Sequence, residues 1–171
     1  MNVFYIKQDE FKKFYDKDFA KQYADKEFKT EKRFYEYTIG RYLVKKAAKE
    51  FYNLSDTEII LQNNGKPVLK NSNLCFNISH SKNIVSVCFD ENPCGLDIEY
   101  IKERDLNRFS DYYKQNFETL DGFYKFWTFK EAAYKLDADV KDTYSCKFEM
   151  QYFLTVASVN KIENISLQKI L

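Results

Sequence analysis

Two hydrophobic periods alternate along this chain of 171 residues. Between residues 31 and 52 an apolar side chain recurs at every fourth position, which predicts a long helix with one face against the core, formed by Tyr35, Ile39, Leu43, Ala47 and Phe51. Near the end of the chain, from residue 144 to residue 159, apolar and polar residues alternate instead. A period of two is typical of strands, and we expect one or two strands there.

Turn signals divide the rest of the chain. Asn63-Asn64-Gly65 and the segment 90–93 both have turn composition. Between these signals we expect strands at 3–6, 58–62, 74–78, 84–89 and 94–101, and helices at 9–28, 105–117 and 119–136. This order predicts an α+β fold of two similar α/β lobes, residues 1–92 and 93–171, which form one compact unit.

Composition excludes several function classes. There are 27 Lys and Arg against 26 Asp and Glu, so no basic excess favours nucleic-acid binding. His80 is the one histidine, which excludes a His-rich metal site. No apolar run is long enough to cross a membrane, no signal-peptide layout is present, and the four cysteines form no C-x-x-C pair. We therefore expect a cytoplasmic protein with reduced thiols and no membrane or nucleic-acid partner.

The charges are unevenly distributed. Residues 1–70 hold 15 Lys and Arg and 11 Asp and Glu, a net +4, whereas the remainder carries a net −3. A basic part that faces an acidic part would suit an anionic ligand met by a divalent cation, although scattered, solvated charge explains the same counts.

Two carboxylates lie two positions apart in the strand predicted at 94–101. Strand alternation places Asp97 and Glu99 on one face and Leu96, Ile98 and Tyr100 on the other. Neighbouring carboxylates repel each other, so this arrangement is found either in solvent or where a divalent cation neutralises both. A solvated strand face remains the alternative.

A second group lies on the helix predicted at 119–136. Trp127, Glu131 and Lys135 are spaced by four and share one helix face. Glu131 could join Asp97 and Glu99 as a third carboxylate for Mg²⁺, and Lys135 could meet a phosphate. The alternative is a surface ion pair between Glu131 and Lys135, and Trp127 is expected in the core under both interpretations.

Two shorter motifs precede these groups. The sequence FNISHS at 76–81 places hydroxyl groups around His80 at the end of a strand, which suits phosphate or ribose contacts and equally suits a structural histidine. The tripeptide Gly65-Lys66-Pro67 holds a lysine at a hairpin end, but it lacks the glycine spacing of a phosphate-binding P-loop.

The order and spacing of the four motifs, GKP, FNISHS, GLDIE at 95–99 and W-x-x-KEA-x-x-K at 127–135, resemble those of the 4'-phosphopantetheinyl transferases. The resemblance is to the surfactin-synthetase-activating type, which has two pseudo-symmetric lobes in one chain, and it covers about residues 31–136. Relative to that type the chain is short after the last motif, which implies a shortened C-terminal part.

The resemblance implies a holo-acyl-carrier-protein synthase activity: Mg²⁺-dependent transfer of the phosphopantetheine arm of coenzyme A to a serine of an apo acyl or peptidyl carrier protein, with release of 3',5'-ADP. It implies Mg²⁺ ligands at Asp97, Glu99 and Glu131, and a phosphate-binding lysine at Lys135. Glu131 and Lys135 would be the catalytic residues. Coenzyme A contacts are implied for Lys66, Pro67, Ser79, His80 and Lys135.

The sequence leaves other points open. The basic residues that usually bind the 3'-phosphate are not matched, because Tyr35, Glu36 and Tyr37 stand in their place, and Lys32, Arg33 or Arg41 are possible substitutes. Two lobes in one chain favour a monomer. The competing functions are a catalytically idle homologue that binds coenzyme A or a carrier protein, and a metal-dependent nuclease or phosphohydrolase. Fatty-acid synthesis and secondary-metabolite assembly both remain open as the pathway.

Overall fold

The computed structural model describes residues 1–170, which form five helices and nine strands. The helices are α1 (Gln8–Phe14), α2 (Lys17–Lys21), α3 (Glu31–Tyr52), α4 (Leu106–Tyr113) and α5 (Leu120–Leu136). The strands are β1 (Asn2–Lys7), β2 (Ile59–Leu61), β3 (Pro67–Leu69), β4 (Cys75–Ser81), β5 (Ile84–Asp90), β6 (Cys94–Tyr100), β7 (Asp142–Phe148), β8 (Tyr152–Ser158) and β9 (Ser166–Lys169).

Local sequence explains where the two long helices begin and end. Thr30 caps α3 by accepting a hydrogen bond from the Arg33 backbone N–H, and Thr119 caps α5 in the same way. At the other ends, Asn53 and Asp137 adopt the left-handed conformation that terminates a helix. The bounds of α3 are those that the four-residue period predicts.

The helix predicted at 9–28 is wrong in extent, because the chain leaves helical geometry at Tyr15. The next residue, Asp16, instead caps a separate short helix by accepting from the Phe19 backbone N–H. The aromatic residues of this segment nevertheless share a cluster around Tyr42 of α3. The aromatic residues of segment 9–28 thus have helical spacing, but they pack against α3 from two short helices instead of one long one.

Each of the two main sheets contains one antiparallel hairpin, β4–β5 in the first and β7–β8 in the second. The first sheet has the order β4-β5-β1-β9 and the second has the order β6-β8-β7. β2 and β3 form a separate hairpin, in which β3 was not predicted from the sequence. β9, also unpredicted, pairs in parallel with β1, so the last described strand returns to the sheet formed by the first lobe. The fold is mixed α+β as expected, whereas the pseudo-symmetry of the two lobes stays a prediction.

The two sheets pack face to face. A buried cluster with Val3, Ile84, Leu96, Ile98 and Leu154 lies between them. The outer face of the first sheet packs on α3 through another cluster, and the outer face of the second sheet contacts α5. The molecule is thus layered as α3, first sheet, second sheet and α5. Within the described residues, none of the helices has the length and apolar character that spanning a bilayer would require.

Candidate active site

The sheets also meet edge to edge, where β4 lies beside β6. Three polar side chains of β4 accept hydrogen bonds from the backbone N–H groups of β6: Asn77 from Leu96, Ser79 from Ile98 and Ser81 from Tyr100. These side chains act in place of a neighbouring strand's carbonyls, so the edge of β6 is satisfied without a continuous sheet. We call this contact the β4–β6 seam, formed by residues 77, 79 and 81 with residues 96–100.

The two serines of the seam also hold the two predicted carboxylates. Ser79 donates to Asp97 at 3.0 Å, and Ser81 donates to Glu99 at 3.0 Å. The Ser-x-Ser pattern of β4 therefore matches the Asp-x-Glu pattern of β6 in register. Ser79 was predicted to contact coenzyme A, and the hydroxyls on both sides of His80 were noted, but no contact with the carboxylates was predicted. The period of two of Asn77, Ser79 and Ser81, on the face opposite Phe76 and Ile78, was the available signal.

Lys135 of α5 completes this cluster. Its ammonium lies 2.6 Å from Asp97 Oδ1 and donates to the Ser79 hydroxyl and the Leu96 carbonyl, each at 3.1 Å. Burial raises the pKa of Asp97 to about 6, although the charge and hydrogen bond of Lys135 act in the opposite direction. Lys135 was expected to meet a phosphate, so its ion pair with Asp97 is a contact that the sequence did not predict, and its role at a phosphate stays a prediction. The alternative, a surface ion pair between Glu131 and Lys135, is not among the ion pairs of residues 1–170.

Gly95 makes the contact between β6 and α5 possible. A Cβ atom at this position would lie 2.0 Å from the backbone carbonyl oxygen of Ala132. Only a residue without a side chain allows the helix to approach the strand this closely. The glycine of GLDIE and the alanine of KEA thus contact each other, and this close approach brings Lys135 within reach of Asp97.

Asp97 and Glu99 have the donor chemistry that a magnesium site needs. Both present carboxylate oxygens, and Oδ2 of the buried Asp97 has no hydrogen-bond partner. Hard cations prefer such oxygens, so these two residues fit Mg²⁺. Glu131 is half-buried on α5. The pKa of Tyr113 is raised mainly by burial, then by Tyr112, and to a smaller extent by the charge of Glu131. As the side chains stand, residues 1–170 contain no group of three His, Cys, Asp or Glu arranged to hold a metal ion.

On the other face of β4 lies a cavity of about 560 Å³, which we call the basic cavity. Four basic side chains and two carboxylates line it, together with His80 of β4 and several apolar or aromatic groups. The basic residues are Lys26, Lys29, Arg33 and Arg41, and the carboxylates are Glu27 and Glu36. Of the substitutes considered from sequence, Arg33 and Arg41 are there, while the Lys32 ammonium lies 3.6 Å from Glu36. Lys26 and Lys29 were missed because they lie in an irregular segment before α3.

His80 connects the basic cavity to a buried carboxylate. Its Nδ1 lies 3.4 Å from Glu36 Oε1, and its side chain is 35% exposed. Burial lowers the pKa of His80, and the nearby cations add to this effect, whereas Glu36 opposes it. Oε2 of Glu36 is itself buried without a hydrogen-bond partner.

Lys66 has partners of its own. Its ammonium donates to the carbonyl oxygens of Lys135 at 3.1 Å and Leu136 at 3.2 Å, at the C-terminus of α5. A cation at this position stabilises the negative end of the helix. Pro67 and Gly65, on either side of Lys66, line the basic cavity. Trp127 is partly buried and packs against the core cluster of α4 and α5, so its predicted core position is realised at the margin of the core.

Alternation along β4 joins the two regions. Ser79 and Ser81 face the carboxylates of β6, while Ile78 and His80 line the basic cavity. One strand therefore separates a cationic cavity from a pair of carboxylates with a lysine. The cavity suits an anionic group, whereas an anionic group could meet the two carboxylates only through Lys135 or through a divalent cation.

The sequence is similar to those of several known proteins. No protein-family model matches the chain. It is similar to the 4'-phosphopantetheinyl transferase psf-1 of Bacillus pumilus (34% identity over 111 residues, 57% of this chain and 48% of the relative) and to the 4'-phosphopantetheinyl transferase ffp of Bacillus subtilis (36% over 110 residues, 57% and 49%). It is also similar to the 4'-phosphopantetheinyl transferase gsp of Aneurinibacillus migulanus (28% over 127 residues, 67% and 53%).

The chain spans about half the length of the curated relatives that it matches. Their names confirm the resemblance to the 4'-phosphopantetheinyl transferases, including the surfactin-synthetase-activating type, that the four motifs predicted.

Proposed function

We propose that this protein transfers the 4'-phosphopantetheine arm of coenzyme A to a serine of an apo acyl or peptidyl carrier protein. The observation that carries the proposal is the position of β4 between the basic cavity and the Asp97–Lys135 pair. A nucleotide in the cavity would direct its pyrophosphate past β4 toward that pair. The names of the relatives support the same reaction.

In the proposed reaction, the serine oxygen bonds to the phosphorus that bears the pantetheine arm. The bond from that phosphorus to the 3',5'-ADP oxygen breaks, and the ADP oxygen receives a proton. Glu131 is our candidate for the base that accepts the serine proton, directly or through a water molecule. Lys135 is the candidate cation for the reacting phosphate and for protonating the leaving group, which requires its ammonium to leave Asp97.

Mg²⁺ is part of the proposal. Asp97 and Glu99, with Glu131 after a side-chain movement, would hold it. When bound, it would neutralise charge on the pyrophosphate. Ser79 and Ser81 keep the two carboxylates of β6 oriented, and the packing of the seam excludes water from Asp97.

The coenzyme A contacts are proposed for Lys66, Pro67, Ser79 and His80, as the resemblance implies. His80 and Pro67 line the basic cavity, which supports their assignment. Ser79 is buried and its hydroxyl already contacts Asp97, Lys135 and the Ile98 backbone N–H, so its role would be indirect. A cytoplasmic location and a monomeric state stay predictions.

The decisive experiment incubates the protein with coenzyme A, Mg²⁺ and a panel of apo carriers, followed by intact-mass measurement of each carrier. We expect at least one carrier to gain the mass of phosphopantetheine. Asp97→Ala and Glu131→Gln should abolish this gain while circular dichroism shows a retained fold. Coenzyme A binding without transfer to any carrier would instead support the idle homologue, and normal turnover in both variants would exclude the metal-site assignment.

A further inference from the structure

A carboxylate outside the basic cavity neutralises one of its arginines. Asp25 Oδ2 lies 2.7 Å from Nη2 of Arg41, whose guanidinium contributes to the cavity lining. The Tyr37 hydroxyl donates to the other oxygen of Asp25. The Arg41 guanidinium also lies 4.7 Å from the centre of the Tyr37 ring. Asp25, Tyr37 and Arg41 thus form one connected group at the rim of the cavity.

Asp25 belongs to the segment between α2 and α3, residues 22–30, which we call the strap. The strap contacts α3 at two further places. The Phe28 ring packs against Phe34 and Tyr37, with centroids 5.9 and 4.9 Å apart, and the Lys26 ammonium lies 4.6 Å from the centre of the Tyr37 ring. Lys26, Phe28 and Lys29 also line the cavity. The strap therefore forms one wall of the cavity, and Asp25 ties this wall to α3.

The second arginine of the cavity, Arg33, provides a contrast. Its partner Glu36 is only 4% exposed and therefore cannot leave for solvent without disturbing the core. The Arg41–Asp25 pair is arranged the other way: the arginine side chain is 11% exposed and the carboxylate is 50% exposed. In this pair the cation is fixed by its surroundings and the anion is free to turn into water.

We propose that Asp25 is an internal competitor for the anion site at Arg41, and that a phosphomonoester of the bound nucleotide displaces it. The proposal rests on the proposed function, under which this group is the 3'-phosphate of coenzyme A. Asp25 and Arg41 then determine how strongly the protein discriminates coenzyme A from the analogue without that phosphate.

The chemistry favours the phosphate in this competition. A phosphomonoester carries up to two negative charges and three acceptor oxygens, and it matches the planar fork of an arginine. A carboxylate carries one charge. Because Asp25 is already half-exposed, it regains full hydration when it turns into water and leaves no buried charge of its own, so the obstacle is the loss of its contacts with Arg41 and Tyr37.

The test measures the affinities of coenzyme A and of 3'-dephospho-coenzyme A by isothermal titration calorimetry, using the full chain and the variant Asp25→Asn. We expect coenzyme A to bind between about threefold and tenfold more tightly to the variant, because a competing negative charge has been removed. The affinity for the dephospho analogue should change by less than about twofold. Asp18→Asn is the matched control, since it removes the same charge from an exposed residue of α2 that is paired with Lys21.

Arg41→Met provides the second arm. It should reduce the difference in affinity between the two ligands, and adding Asp25→Asn to it should give no further gain. An unchanged or weaker affinity for coenzyme A in Asp25→Asn would overturn the inference, since it would mean that Asp25 is neutral or supports Arg41. If neither the unmodified protein nor Asp25→Asn binds coenzyme A, the proposed function fails together with this inference. Should Arg41→Met not fold, the Asp25→Asn result decides alone.

Discussion

The β4–β6 seam and the basic cavity are separated by a single strand, yet they handle charge in opposite ways. In the seam, a buried carboxylate, Asp97, is matched by a lysine from another element and by a serine hydroxyl. In the cavity, cations outnumber carboxylates along the lining, and Arg41 is neutralised by the half-exposed Asp25. Asp97 is therefore held by partners from β4 and α5, whereas the carboxylate that neutralises Arg41 is half-exposed, which is the basis for its proposed displacement by an anionic ligand.

The same difference is visible in how the helices approach the sheets. α5 lies against β6 through backbone atoms at Gly95, while α3 meets β4 at Gly40 through the side chain of Ile78. Backbone contacts cannot adjust, but an isoleucine side chain can shift by a few tenths of an ångström. We therefore expect a glycine-to-alanine substitution to destabilise the protein more beside the seam than beside the cavity.

The largest expected effect tests this difference directly. Gly95→Ala would place a Cβ 2.0 Å from the Ala132 carbonyl oxygen, and we expect it to lower the free energy of unfolding by about 3 kcal/mol or more. Gly40→Ala is the counterpart, with its closest contact at 3.1 Å to Ile78 Cγ2. It should change stability by less than about 1 kcal/mol, because the better helix propensity of alanine offsets the contact. Urea unfolding of both variants measures the difference, and equal losses would contradict the comparison.

Next in size is the removal of the seam's cation. Lys135→Met leaves the buried carboxylate of Asp97 without its ion-pair partner, and we expect a loss of about 2 kcal/mol in the free energy of unfolding. The double variant with Asp97→Asn should recover part of this loss. In the cavity, Asp25→Asn should cost less than about 1 kcal/mol, since the pair it breaks is half-exposed. A Lys135→Met protein as stable as the parent would show that the pair is not held as the structure has it.

A smaller effect is expected at Lys66, which connects the two regions. Lys66→Met removes a charged donor from the carbonyls at the end of α5 and should lower stability by about 1 kcal/mol. We also propose, as the resemblance implies for the lysine of GKP, that Lys66 pairs with the 3'-phosphate; Lys66→Met should then lower the affinity for coenzyme A more than that for its 3'-dephospho analogue. An equal loss for both ligands would mean that Lys66 acts through α5 alone.

The smallest effect concerns the protonation of His80. Burial lowers its pKa below the usual 6.5, so the folded protein holds this proton more weakly than the unfolded chain does. Stability should therefore fall slightly as the pH drops through 6.5 toward the lowered value. Since the chain has one histidine, a single imidazole NMR signal reports the titration. Addition of coenzyme A should raise this pKa, because phosphate charge favours the imidazolium; an unchanged pKa would place the phosphates away from His80.

The sequence by itself determined most of the elements and indicated the candidate site residues, whose roles stay predictions. The period of four gave the bounds of α3, and the period of two placed Asp97 and Glu99 on the same face of β6. These features depend on neighbours in the chain, which is why a pattern predicts them. The segment 9–28 shows the limit, because its helical spacing is realised as two short helices once Tyr42 of α3 supplies the packing partner.

Only the tertiary structure decided which groups meet. The period of two places Ser81 on one face of β4, but no local pattern indicates that it meets Glu99, that Lys66 caps α5, or that Asp25 neutralises Arg41. Each of these contacts joins residues from different elements, and it depends on the distance between layers rather than on propensity. Gly95 is the clearest case: the sequence shows a glycine within a strand, but the reason for it is the Ala132 carbonyl, 37 positions later in the chain, that occupies the place of its side chain.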